Sequence, residues 1–380
     1  MRVLILGAAG KAAGAAIYSL RLIPGLERIY LADRNAEALC KLSADLAHLP
    51  VSPRYLDADN ESSLYERMKE ADLILGCLGP FHHYEGRIVR AAIAAGRDYI
   101  SLCDDPGSIT EVMALGPEAA RSGVRVLCGC GLTPGLSNLL ACRASSWLDG
   151  VDSIELNWFL ELGSNLGTAT LEHLLRSFTG KAPVRRGGRA AGARAGSWEE
   201  ISDFPPPVGS RVVSYLCHPE PATLPDAIVG VGDIWFKACV GSRARGLALH
   251  SLAWMGEGER TELWQTLLRT AAIGIARRGE RSCLAAVRVT ASGVRNGTPH
   301  RRVLCVAGDY YRLSGLVMAA AVDGLTRAGW APGVYTPEGI LDDPEVFAWL
   351  HRAGLHILVG EAKQGDGPGE CYFTPGGCYN

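Results

Sequence analysis

No uninterrupted apolar run in this 380-residue chain approaches the ~18 residues that a membrane-spanning helix needs, so no membrane partner is expected. Charge of one sign is not in excess either. Lys and Arg number 38 against 40 Asp and Glu, a net charge of −2, where a nucleic-acid binder would carry a basic surplus. The 12 cysteines include no C-x-x-C pair, and no histidine stands at zinc-ligand spacing. Cys128 and Cys130 are two apart and Cys371 and Cys378 seven apart, so neither a metal site nor a disulfide framework is expected. Cys40, Cys77, Cys103 and Cys142 lie in apolar stretches and read as small buried hydrophobes, a usage that fits a reducing compartment. Val3 to Leu6 is too short for the ~7–15-residue apolar core of a signal peptide, which makes the cytoplasm the expected location. No internal repeat is visible. What the chain does have is 48% hydrophobic and 21% charged residues, the balance of a globular protein. Its length suggests two to three domains, at about 150 residues each.

The first third alternates short apolar runs with helix-length segments. Strands are expected at Val3–Leu6, Arg28–Ala32, near Tyr55, at Leu73–Cys77, Tyr99–Leu102 and Val124–Cys128. Helices are expected between them at Ala12–Leu22, Ala36–Ala47, Ser62–Lys69, Tyr84–Ala95 and Ile109–Ser122. Apolar runs buried on both sides and separated by helices indicate an α/β fold with a doubly wound parallel sheet. After about residue 150 the texture becomes that of an α+β insert on an antiparallel sheet. Its expected strands are Ser153–Leu162, Val231–Cys239 and Leu284–Ser292, and its helices Thr170–Thr179 and Arg260–Arg277. Gly180–Gly196, rich in Gly, Ala and Arg, reads as a surface loop. A helix at Ser314–Arg327, another at Pro344–Ala353 and a strand at His356–Val359 follow. The expected division is therefore 1–140, 141–309, helices returning over 310–358, and an irregular Gly- and Pro-rich tail over 360–380.

Val3-Leu4-Ile5-Leu6-Gly7-Ala8-Ala9-Gly10-Lys11-Ala12-Ala13-Gly14 is a strand, a glycine turn and a helix start, the context of a dinucleotide fingerprint. Gly7 permits the turn, and Gly10 lets backbone approach a pyrophosphate. The amides around Ala9, Lys11 and Ala12 favour the anion. Asp33, 26 residues after Gly7, ends the second strand where a carboxylate receives ribose hydroxyls. An acid there repels a 2′-phosphate and slightly favours NAD over NADP, whereas Arg34 next to it would pair with that phosphate. Asp33 as a mere helix N-cap is the alternative. Asp57 and Ala58, after the next strand, are candidates for the adenine edge.

Three further strands end in polar or Gly-Pro residues at the carboxyl edge, where doubly wound sheets bind ligands. The first gives Gly79-Pro80-Phe81-His82-His83-Tyr84, the second Cys103-Asp104-Asp105-Pro106, and the third Gly131-Leu132-Thr133-Pro134-Gly135. His82, His83, Asp104 and Asp105 are the candidates for proton transfer or for binding a substrate amine. A helix cap at Asp105 and a solvated histidine pair are the ordinary readings. Arg243, Arg245 and Arg312 are candidate forks for a substrate carboxylate.

The runs Gly79–Tyr84, Ala91–Ile100, Cys103–Asp105, Gly131–Leu140 and Gly333–Glu338 resemble the saccharopine dehydrogenase-like oxidoreductases, relatives of saccharopine reductase, carboxynorspermidine dehydrogenase and lysine 6-dehydrogenase. The resemblance is specific over 1–145, fair over 310–358 and weak between. It implies a Rossmann domain, an inserted α+β substrate and dimerisation domain, and a homodimer. It also implies that Gly7, Gly10 and Asp33 hold NAD or NADP, and that Gly79, Pro80 and Phe81 touch its nicotinamide side. Asp104, Thr133, Pro134 and Gly135 would border an amine or amino-acid substrate. The chemistry implied is hydride transfer at a carbon–nitrogen bond, with no metal. A reductase of C=C or C=O bonds is one alternative, and a dinucleotide sensor or scaffold without turnover is another.

Overall fold

Val3, Leu4, Ile5 and Leu6 are 0–1% exposed, as a strand must be when helices cover both faces of its sheet. The computed structural model describes residues 1–163, 165–255, 262–277, 283–363 and 374–375. Its first part runs β1 (Arg2–Leu6), α1 (Lys11–Leu20), β2 (Arg28–Asp33), α2 (Ala36–Asp45), β3 (Val51–Tyr55) and α3 (Glu61–Lys69). It continues with β4 (Leu73–Gly76), α4 (Phe81–Ala95), β5 (Asp98–Ser101), α5 (Pro106–Met113), α6 (Gly116–Arg121) and β6 (Arg125–Leu127). The single helix expected over Ile109–Ser122 is thus two helices. Pro117 supplies no amide and disfavours helical backbone just before it, so the helix restarts there.

Next come α7 (Leu136–Ser145), β7 (Gly150–Leu160), α8 (Thr168–Ser177), β8 (Lys181–Arg186), β9 (Arg189–Arg194), β10 (Glu200–Phe204) and β11 (Gly209–Tyr215). They are followed by α9 (Glu220–Ala227), β12 (Asp233–Val240), α10 (Arg243–Met255), α11 (Glu262–Arg277), β13 (Leu284–Arg295) and β14 (Thr298–Asp309). The chain closes with α12 (Tyr310–Arg327), β15 (Gly333–Tyr335), α13 (Pro337–Ile340), α14 (Pro344–Arg352), β16 (Leu358–Lys363) and β17 (Thr374–Pro375).

Two compact units result, Met1–Gly135 with Tyr311–Ala353, and Leu136–Tyr310 with Gly354–Asn380. In the first, seven parallel strands lie in the order β15-β6-β5-β4-β1-β2-β3. This is the doubly wound arrangement expected from the sequence, extended by the short β15. The order reverses between β1 and β4, and at such a switch point the carboxyl ends of two strands open a crevice. The core beneath is continuous, from Leu4 and Leu6 through Ile74, Ile88, Val89 and Tyr99 to Val126.

The second unit carries a sheet along the path β10-β11-β12-β7-β13-β14-β16-β17, with the β8–β9 hairpin attached to β12. An antiparallel sheet was the expectation, but β12 runs parallel to β7, so the sheet is mixed. The stretch expected as a loop at Gly180–Gly196 is the β8–β9 hairpin. Gly187 and Gly188, both at positive φ, make its turn, while Ala182 and Val184 alternate inward. The expected irregular tail contains β16, paired with β14, and β17, paired with β16; its remaining residues, with Cys371 and Cys378, lie outside the described ones. The helix expected from Arg260 is described from Glu262 onward. Cys40, read as buried, is exposed. Among the described residues, no helix is long and apolar enough to cross a membrane, and no group of three or more His, Cys, Asp or Glu could hold a metal ion.

Candidate functional site

The crevice of the first unit begins at Gly7. Its φ of +73° belongs to the left-handed region, and a Cβ there would lie 2.8 Å from Leu78 Cα and 2.9 Å from the Cys77 carbonyl oxygen. The loops leaving β1 and β4 therefore touch backbone to backbone at the switch point. Gly10 follows in extended conformation as the N-cap of α1, which has no side-chain cap and no acid in its first turn. The N-cap of α4, Pro80, also lacks a side-chain cap. By contrast α2, α3 and α5 are capped by Asn35, Asn60 and Asp105. In α1, which opens onto the crevice, no capping side chain competes with an anion for the amides of Lys11 and Ala12.

Asp33 stands at the end of β2 and bridges two loops. Its Oδ2 accepts from Ala9 N at 3.1 Å and its Oδ1 from Asn35 N at 3.0 Å. The cap of α2 is Asn35, whose side chain accepts from Ala38 N at 3.0 Å, so Asp33 is not the cap. A cleft with about 530 Å³ of open space is lined by Gly7, Asp33, Arg34, Asp57, Ala58, Gly79, Pro80 and Tyr84 among others. Seven of the residues expected around a cofactor, Gly7, Asp33, Arg34, Asp57, Ala58, Gly79 and Pro80, therefore line one cleft, with Tyr84 beside them. Of the others, Ala9 binds Asp33 through its amide, and Lys11, Ala12 and Phe81 occupy the first turns of α1 and α4.

The proton-transfer candidates fall into different surroundings. His83 is exposed, with its Nε2 3.8 Å from Asp59 Oδ1 and its ring edge-on to Tyr84. Asp59 pairs with Arg87 at 2.8 Å, and that guanidinium holds its carboxyl below the usual carboxylate range. His83 thus belongs to a charged cluster on the β3–α3 side of α4. Asp105 caps α5, its Oδ1 accepting from Ser108 N at 2.8 Å and Ser108 Oγ at 2.9 Å. His82 is exposed in the first turn of α4, and Asp104 is half-buried in the β5–α5 loop. Among the substrate candidates, Thr133 and Pro134 share a cis peptide bond, and the buried Thr133 Oγ1 meets no hydrogen-bond partner among the described residues. The Pro134 carbonyl accepts from Gly131 N at 2.9 Å, and Leu132 N donates to Ser314 Oγ at 3.3 Å. The loop ending at Gly135 is thereby fixed within its own unit. Arg312 is exposed in the first turn of α12. Arg243 and Arg245, in the second unit, are paired with Glu199 and Glu161 at 3.2 and 3.8 Å.

One group was not anticipated. Glu85, on α4, is fully buried. It accepts from Tyr99 Oη at 2.9 Å and from Ser101 Oγ at 2.5 Å. Burial pushes its carboxyl up to about 7, against the two hydroxyl donors that pull it down. A sequence signal exists: Glu85 sits three, four and seven residues before Ile88, Val89 and Ala92, on the helix's apolar stripe.

Residues 3–127 match the family model described as the saccharopine dehydrogenase NADP binding domain. A saccharopine dehydrogenase-like oxidoreductase from Mus musculus is 36% identical over 72 residues, which are 19% of this chain and 17% of that protein. The one from Rattus norvegicus is 36% identical over 73 residues, with the same shares. The matched stretch therefore spans about a sixth of each curated relative. Among solved structures, apo saccharopine dehydrogenase (L-Glu forming) from Saccharomyces cerevisiae aligns with a TM-score of 0.65 at 14% identity, over 95% of this chain and 99% of that one. Residues 3–127 are thus similar to the saccharopine dehydrogenase NADP binding domain, and the chain shares the fold of the yeast saccharopine dehydrogenase.

Proposed function

We propose that the protein is a nicotinamide-dinucleotide-dependent oxidoreductase acting on a carbon–nitrogen bond of an amino-acid or polyamine-type substrate. The observation that carries this is the switch-point cleft, with Asp33 on one wall and two side-chain-uncapped helices, α1 and α4, opening onto it. A bound nicotinamide would supply or accept the hydride. The chain's own residues bind, orient and move protons. The Lys11 and Ala12 amides meet the pyrophosphate, and Asp33 takes the ribose hydroxyls. Asp33 also disfavours a 2′-phosphate, which makes NADH the tighter reduced cofactor even though Arg34 lines the same cleft. His82, in the first turn of α4, and Asp104, in the loop after β5, are the general acid–base candidates, at the carboxyl edge of the sheet where such folds bind ligands. The unsatisfied Thr133 hydroxyl suits a polar substrate group, since a buried hydroxyl without a partner is costly. The ten free cysteines among the described residues fit a cytoplasmic location, and the family resemblance extends to a homodimer.

The test is NADH consumption with carbonyl acids, with amines, and with both. Turnover that needs amine and carbonyl together supports the reading. Reduction of a carbonyl or alkene with no amine present replaces it with the C=O or C=C reductase.

A further inference from the structure

Glu85 presents an energetic problem. A buried carboxylate is costly unless it is hydrogen-bonded, and an apolar residue of similar size would cost less. No cation offsets it, since the influences on Glu85 are burial and the hydroxyls of Ser101 and Tyr99. The titratable groups facing it are Tyr99 and the thiols of Cys77, Cys103, Cys128 and Cys130, all shifted upward by lost hydration and neutral near pH 7. Neighbouring positions are shaped around the same network. A Cβ on Gly76, at the end of β4, would lie 2.0 Å from Tyr99 Oη.

The connections of Ser101 give this carboxylate a consequence. The Ser101 carbonyl accepts from Cys130 N at 2.7 Å, and its hydroxyl accepts from Cys103 N at 3.4 Å. The Gly76 carbonyl accepts from Leu102 N at 3.1 Å. One carboxylate on α4 therefore reaches the segments that follow β4, β5 and β6, which carry Gly79, Asp104 and Thr133. The adenosine wall, built from Gly7, Asp33 and Asp57, has no bond to it.

We propose that Glu85 is a positioning residue for the nicotinamide half of the cofactor: through Ser101 it holds the loops after β5 and β6 against α4. The inference rests on the dinucleotide reading above. It predicts a split between two ligands that a purely structural role would not produce. ADP-ribose lacks the nicotinamide ring that the loops after β5 and β6 would meet, while NADH carries it.

The experiment titrates wild type, Glu85→Gln, Ser101→Ala and Tyr99→Phe with NADH and with ADP-ribose, following protein fluorescence. Glu85→Gln and Ser101→Ala are expected to weaken NADH about tenfold and to leave ADP-ribose within about twofold, the size of one lost buried hydrogen bond. Tyr99→Phe, which spares the loop connection, is expected to leave both within about twofold. Equal losses for both ligands, no loss for either, or a Tyr99→Phe effect as large as that of Ser101→Ala would overturn the proposal. If Glu85→Gln does not fold, Ser101→Ala alone decides. Wild type binding ADP-ribose but not NADH also overturns the proposal while leaving a nucleotide site. Binding of neither removes the dinucleotide reading and this inference with it.

Discussion

Replacing Gly7 by alanine tests the switch-point geometry at its tightest place. The backbone there has φ +73°, a conformation that costs a residue with a Cβ about 1–2 kcal/mol. The added methyl would also lie 2.8 Å from Leu78 Cα and 2.9 Å from the Cys77 carbonyl oxygen. Both are backbone atoms of the loop leaving β4, so no side chain can swing aside, and overpacking of this kind costs a further 1–3 kcal/mol or about that. Together the two effects come to roughly 3 kcal/mol, which lowers the Tm of a unit of this size by roughly 6–12 °C. The displaced loop carries Gly79 and Pro80, so cofactor affinity should fall with stability. The assay is a thermal melt with and without saturating NADH. A Gly7→Ala variant that melts within 2 °C or so of wild type and gains the same ligand-induced shift would refute the claim that the two loops are in contact.

Other positions give separate expectations. Asp33→Asn keeps an acceptor for only one of the Ala9 and Asn35 amides and removes the charge, and should shift the NADPH-to-NADH ratio of Kd values toward NADPH by about tenfold; an unmoved ratio means that Asp33 acts only as a loop bridge. Glu85 has its carboxyl raised from 4.5 to about 7, so the native state holds this proton more tightly than the unfolded chain does. Unfolding free energy should therefore fall by about 3 kcal/mol as pH rises from 4.5 to 7, and Glu85→Gln should flatten that slope in denaturant titrations. Asp105→Ala removes the α5 cap and should cost about 1 kcal/mol, read as a Tm lower by roughly 2–4 °C. A loss of turnover far beyond what that destabilisation explains would give Asp105 a chemical role as well.

The parallel sheet was legible because its strands are runs such as Leu73–Leu75, apolar on both faces and bounded by helix-length segments. The β15 strand escaped notice because three residues, Gly333–Tyr335, carry no period of their own and pair only because β6 offers an edge. In the β8–β9 hairpin the alternation is written in Ala182 and Val184 against Lys181 and Arg185, too small an apolar signal to outweigh the glycines and arginines around it. The parallel β12–β7 pairing depends on a crossover, which local pattern does not encode. At the site, glycines and the end-of-strand aspartate were readable because turn geometry and strand position restrict residue type. Glu85 was not read, since an acid in a helix is ordinarily solvated, and only its place on the apolar stripe marks it. Whether Asp105 and His83 cap or pair could be known only once Ser108 and Asp59 were in place beside them.

The central claim is that the cleft between the ends of β1 and β4 binds a nicotinamide dinucleotide. Fluorescence titration of the purified protein with NADH, and separately with NADPH, tests it most directly. Saturable binding at micromolar concentrations, tighter for NADH and abolished in Gly10→Val while that variant still melts cooperatively, is the predicted result. Wild type binding neither nucleotide at tens of micromolar or so, or Gly10→Val binding as wild type does, would contradict the account.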